Sequence, residues 1–102
     1  MHLVQIVLPL VDATGNRIAT GAFDKLQKEL AEAFGGVTAY VRPTAVGLWK
    51  EDQEKVKKEE VVVFEVLATH LDKNWWTVYR RKLELRFGQK EVFICGVPAE
   101  RL

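Results

Sequence analysis

The sequence has a single cysteine, Cys95, which excludes a disulfide within the chain and a cysteine-cluster metal site. Histidine is nearly as scarce, with only His2 and His70. An excess of one charge is also lacking. Fifteen lysines and arginines meet fourteen aspartates and glutamates, a net charge of +1, so no global field draws the chain to nucleic acid or an acidic membrane. No apolar run approaches the ~20 residues of a membrane span. The opening residues, MHLVQIVLPLVDATG, have no basic stretch of the kind that begins an export signal, and Gln5, Pro9 and Asp12 interrupt them early.

What is present is an ordinary globular composition, 48% hydrophobic and 28% charged over 102 residues. That length suits one domain, 1–102, burying roughly 65% of its unfolded surface. The centre of the pattern is Glu60 to Ala68, EVVVFEVLA, with four valines, a phenylalanine and only Glu65 breaking the apolar run. β-Branched and aromatic residues fit a pleated sheet, and a run apolar on both faces predicts a central strand.

Around it the chain divides cleanly. Leu3 to Leu8 is a first strand ended by Pro9, and Asp12 to Arg17 is turn chemistry. Thr20 or Gly21 caps a helix with Ala22, Phe23, Leu26, Leu30, Ala33 and Phe34 on one side and Lys25, Lys28, Glu29 and Glu32 opposite. Gly35-Gly36 stops it. Val37 to Arg42 alternates as a second strand closed by Pro43, and Ala45 to Lys50 extends it as an edge carrying Trp49. Glu51 to Glu59, with seven charged residues in nine, reads as a solvated loop. Asp72 caps a second helix running to Phe87, with Gly88 as its stop. Lys90 to Val97 is a fourth strand, ended by Pro98.

Strand, helix, strand, strand, helix, strand is the ferredoxin-like α+β order, a four-stranded antiparallel sheet with two helices on one face. Right-handed crossovers put strands one and three in the middle. The second helix carries two apolar stripes. Trp76, Tyr79, Leu83 and Phe87 suit the sheet. Trp75, Val78 and Leu85 form a second stripe about 120° away, with Lys82 and Arg86 between. The second stripe packs either on the first helix or on another subunit, with Trp75 as anchor; Trp75, Val78, Leu85 and Arg86 are the interface candidates. The sheet face away from the helices, with Leu3, Gln5, Val7, Thr38, Tyr40, Arg42, Val61, Val63, Glu65 and Leu67, is too apolar for water. A second copy is expected to cover it as a barrel-like homodimer.

The segment YRRKLELRFGQKEVFICGVP, above all Arg86-Phe87-x-Gln89-x-x-Val92, resembles the C-terminal signature of a family of small bacterial proteins of unknown function. FGGVTAY and GLW, ahead of the apolar strand, fit the same pattern over roughly residues 23 to 97. The resemblance implies a ferredoxin-like domain of the dimeric α+β barrel kind and brings no activity with it. Members of that family often carry an export signal, absent from these opening residues, so a cytoplasmic protein of bacterial type is the expectation.

Chemistry has few footholds. With strands one and three read as parallel, His2 and His70 would lie roughly 25–30 Å apart and could not share a metal; no metal or cofactor is expected. Cys95 alternates with Phe93 and Val97 and reads as a buried, inert thiol. The glycines match neither the Walker nor the dinucleotide spacing. An RNA-binding domain of this element order would need aromatics on strands one and three, but only Phe64 is there, so nucleic acid and membrane are not expected partners. The remaining constellation is Tyr40, Arg42, Trp49 and Glu65, with Gln5. It is either a structural ion pair at a dimer interface, Glu65 meeting Arg42 or Tyr40, or a small-molecule site with Glu65 as general base. The leading reading is a homo-oligomeric binding or assembly module. The alternative is a cofactor-free oxygenase or isomerase acting on a small aromatic or carbonyl compound.

Overall fold

A computed structural model describes residues 1–44 and 59–102. Its elements are β1 (His2–Pro9), α1 (Thr20–Phe34), β2 (Thr38–Thr44), β3 (Glu59–Ala68), α2 (Lys73–Arg86) and β4 (Phe93–Pro98). The strand order is β2-β3-β1-β4, with every neighbour antiparallel. This is the expected ferredoxin-like α+β fold. The expected edge extension Ala45 to Lys50, with Trp49, and the charged loop from Glu51 lie outside the described residues.

Alternation within the two middle strands builds the core. Val4, Ile6 and Leu8 of β1 stand opposite Val66, Phe64 and Val62 of β3, and all six are buried against the helices. Leu26 and Leu30 of α1, Trp76 and Leu83 of α2, and then Phe87 and Val92 complete that cluster. Each helix therefore contributes one stripe at helical spacing to one face of the sheet.

The ends of the helices follow local chemistry. Asp72 accepts a hydrogen bond from the Trp75 backbone N–H at 3.1 Å, as an N-cap should. Helix α1 begins one residue earlier than the sequence suggests. Ala19 holds its cap position without a side-chain hydrogen bond, and Thr20 is already helical. Gly35 ends α1 with φ 76°, donating its N–H to the Ala31 carbonyl. Gly88 takes φ 60° with its Cα side packed on Asp12, where an added Cβ would come 3.1 Å from Asp12 Cβ. Gly88 also accepts the Ala13 N–H at 2.8 Å, so the end of α2 is stitched to the loop after β1.

Three expectations need correction. Strands one and three are antiparallel, because the crossover makes β1 and β2 parallel and the hairpin then reverses β3. His2 pairs with Ala68, so His70 lies at the same end of the sheet as His2 and the distance argument against a shared site falls; among the described residues no group of three or more His, Cys, Asp or Glu could hold a metal. Strand β2 does not stop before Pro43 but runs through it to Thr44. It is an edge strand, where a missing N–H on the outer side costs nothing. Strand β4 starts at Phe93 rather than Lys90. The Val92 N–H donates to Glu84 Oε2 at 3.0 Å, and the Val92 side chain enters the helix layer.

The inner face of β2 is less covered than alternation implies. Ala39 and Val41 pair with Phe64 and Val62 on the helix side, yet Val41 is 59% exposed. The helices cover β3, β1 and part of β4 and stop short of the β2 edge.

Two leucines of α2 separate core from surface. Leu83→Ala should lower stability by about 2–5 kcal/mol in urea unfolding, since Leu83 is fully buried. Leu85→Ala, at a site 87% exposed, should change it by no more than about 0.5 kcal/mol.

Candidate functional site

The open face of the sheet is organised in rows that cross three or four strands. One row is Tyr40, Val63, Val7 and Phe93; beside it lie Thr38, Glu65, Gln5 and Cys95; beyond that are Leu67, Leu3 and Val97. The middle row is polar and the rows flanking it are apolar. Within it, Gln5 Nε2 donates to Glu65 Oε2 at 2.6 Å, and Cys95 Sγ lies 3.7 Å from Gln5 Oε1. Gln5 is thus held at both ends, with its carbonyl free to accept the thiol proton while its amide serves the carboxylate.

Of the sequence-based candidates, Tyr40 and Arg42 do share this face with Glu65, but they do not meet it. Arg42 stands opposite Val61, four residues along β3 from Glu65 and about 13 Å away along the strand. The partner of Glu65 within the chain is Gln5, because Gln5 lies directly opposite and Tyr40 lies opposite Val63. Trp49 is outside the described residues. Cys95 is not the buried thiol expected from alternation. It is half-buried on the open face of an edge strand.

The open face is unevenly covered. Val61 and Val63 are already buried. Tyr40, Leu67 and Val97 are exposed, and Phe93 presents 61% of its surface. At one end a groove of about 500 Å³ runs between this face and the end of α1, lined by Leu3, Phe34, Thr38, Glu65, Leu67 and Arg101 among others.

The helix layer carries the other polar constellation. Arg86 forks onto Glu29, Nη1 to Oε1 at 2.7 Å and Nη2 to Oε2 at 3.1 Å, and Tyr79 Oη donates to the same Oε1 at 2.8 Å. The guanidinium beside Glu29, with help from Tyr79, holds that carboxyl below its ordinary value. Burial, and then the Glu29 carboxylate, push the Tyr79 phenol well up. Arg86, a candidate for contact with another subunit, therefore spends its fork inside the chain.

Trp75 is also partly engaged at home. Its ring stacks on Tyr79 at 4.8 Å and meets Phe34 of α1 edge-on at 5.5 Å, leaving 39% of it exposed. The second stripe therefore divides: Trp75 leans on α1, while Val78 and Leu85 are exposed. Sequence reasoning missed Glu29, which it assigned to the solvated side of the first helix. Glu29 borders the apolar arc, and Arg86 borders its own, so opposite charges at the seam of two neighbouring helices were the available signal.

No protein-family model, curated protein or solved structure matches the chain. The residues behind the family resemblance have structural roles in this chain. Arg86 pairs with Glu29, Phe87 and Val92 are core, and Gln89 Nε2 donates to the Val11 and Phe87 carbonyls at 2.8 and 3.2 Å. They anchor the end of α2 and lie away from the open sheet face.

The clamp should register in the pH dependence of stability. The folded value of Glu29 lies below its unfolded value, near 4.5, so its contribution is full above that value and is lost as the pH falls through the folded one. Glu29→Gln should cost about 1 kcal/mol at neutral pH, a modest figure because the pair is partly solvated. Chemical unfolding across acid pH should show the gap between variant and parent closing below pH 4.5.

Proposed function

We propose that the chain is a small homo-oligomeric binding or assembly module, with the open sheet face as the surface on which copies meet. The observation that supports this most is the combination on that face of exposed Phe93, Leu67, Val97 and Tyr40 with a single polar row between them. Contiguous apolar surface of this kind ordinarily marks an interaction site. Phe93 and Val97 extend the patch to the β4 edge, so the surface available is wider than the first three strands alone provide. The implied family of small bacterial proteins is of the same dimeric α+β barrel kind, and a cytoplasmic location belongs with this reading. Among the described residues no helix is long and apolar enough to cross a membrane.

A second reading rests on the groove beside Glu65. Its volume of about 500 Å³ falls within the range of small-molecule sites, and its lining pairs a carboxylate with the Arg101 guanidinium and apolar walls. A second copy laid over the open face would close it. In that form Glu65 would act as general base on a small aromatic or carbonyl compound without a cofactor.

Assembly and chemistry separate experimentally. Light scattering at micromolar concentration should give at least a dimer, and Phe93→Lys with Leu67→Lys should give a monomer with an unchanged circular dichroism spectrum. A parent chain that stays monomeric excludes the assembly reading. Glu65→Gln should leave the assembled mass unaltered. If it also leaves unaltered the turnover of every aromatic and carbonyl compound that the parent converts, or if the parent converts none, the enzyme reading fails.

A further inference from the structure

The outer side of α2 has features that neither the fold nor the open sheet face uses. Val78 and Leu85, seven residues apart, stand almost in line along the axis, and Leu85 is 87% exposed. Arg81 flanks this line on one side and Lys82 on the other, both exposed. Helical spacing puts each cation about 50° from the line. The helix as a whole holds five basic residues and one acidic. Arg86 is occupied by Glu29 and Arg80 lies 3.9 Å from Glu84, whereas Arg81 and Lys82 have no carboxylate within 4 Å among the described residues.

The ridge is set between two hollows. On one side, a groove of about 300 Å³ between the helices is lined by Glu29 and Ala33 of α1 and by Trp75, Val78, Tyr79 and Lys82 of α2. On the other, a groove of about 570 Å³ is lined by the cations Arg80, Arg81 and Lys90, by the carboxylates Glu84 and Glu91, and by Leu85 and Gln89. From Trp75 to Leu85 the surface spans roughly 15 Å, about three helical turns.

We infer that this ridge and its two grooves are the docking site for an acidic amphipathic helix of a different protein, whose apolar side chains enter the grooves and whose carboxylates meet Arg81 and Lys82. Charge chooses the occupant. A second copy of the same helix would bring its own four excess positive charges against these, and like charges repel at contact distance. Shape argues against a bilayer. An interfacial helix sinks a broad apolar face into lipid, but here the apolar line is narrow, has a cation on each side and lies between concave surfaces. Apolar anchors seated in grooves, with charges at the rim, are how helix-in-groove recognition is built.

The test is titration of the isotopically labelled full chain, followed by amide chemical shifts, with a synthetic helical peptide of about four turns bearing leucines on one face and glutamates at their flanks. Its counterpart with lysine for every glutamate serves as the control. The acidic peptide should shift the amides of Trp75, Val78, Arg81, Lys82 and Leu85 saturably, and added salt should weaken it. The double variant Arg81→Glu with Lys82→Glu should bind it at least about tenfold more weakly, with an unchanged thermal melt. Leu85→Ala should also weaken it while keeping the salt dependence. No saturable shift on α2, or equal binding of the lysine peptide, would overturn the proposal. So would sedimentation with phosphatidylglycerol vesicles lost in the double variant while the acidic peptide fails to bind. A change in assembled mass in that variant, without peptide present, would mark the ridge as a self-contact and overturn it as well. Assembly through Phe93 and Leu67 is read separately, so either inference can fail alone.

Discussion

The pairing of β1 with β3 is the constraint on which everything else depends. These are the two inner strands, and eight residue pairs run in unbroken antiparallel register from His2 with Ala68 to Pro9 with Val61. Side chains alternate between faces, so a slip of one residue would send Val4, Ile6 and Leu8 to the open side and bring Leu3, Gln5 and Val7 to the helices. Gln5 would then sit beneath α1 and α2, where an unpartnered amide is costly to bury, and Glu65 would be left on the open face without its partner. The single polar pair thus opposes the wrong register as firmly as the valines favour the right one.

The helices add a second layer of specification that is local at their ends and long-range in the middle. Asp72 and Gly35 act on their own turns. The fork from Arg86 to Glu29 joins residues 57 positions apart, and the Phe34, Trp75, Trp76 and Tyr79 rings pack α1 against the first turns of α2. Polar clamp and aromatic cluster share Tyr79, whose ring stacks while its hydroxyl donates. A change there acts on both.

Much of the fold was legible because its signals are periodic. The apolar run Leu3 to Leu8, the alternation in Val37 to Arg42 and the apolar stripe of the first helix are patterns of side chains on a known geometry. The errors came where the backbone or a distant partner decides. The strand direction that moved His70 to the His2 end follows from topology rather than from any residue. The late start of β4 follows from Glu84 capturing the Val92 N–H, an interaction no spacing reveals. At the candidate site, sequence placed Tyr40, Arg42 and Glu65 on one face correctly but could not give the register between β2 and β3. That register opposes Glu65 to Thr38 and leaves Arg42 beside Val61. The stripe on α2 was visible as well, but periodicity alone did not say which of its residues would lean on the first helix; Trp75 does so through Phe34.

The row from Thr38 through Glu65 and Gln5 to Cys95 has an angular consequence for anything flat that settles on the sheet. A visitor with apolar side chains across the whole width would strip water from a carboxylate and offer it nothing in return. Only one that lays down its own hydrogen-bonding stripe along the same diagonal avoids that loss. Where the visitor is an identical sheet, the two stripes coincide only at particular rotations about the normal through Gln5. A few atoms of amide and carboxylate would then act as a compass needle, choosing the orientation of a contact whose strength lies in the hydrocarbon on either side.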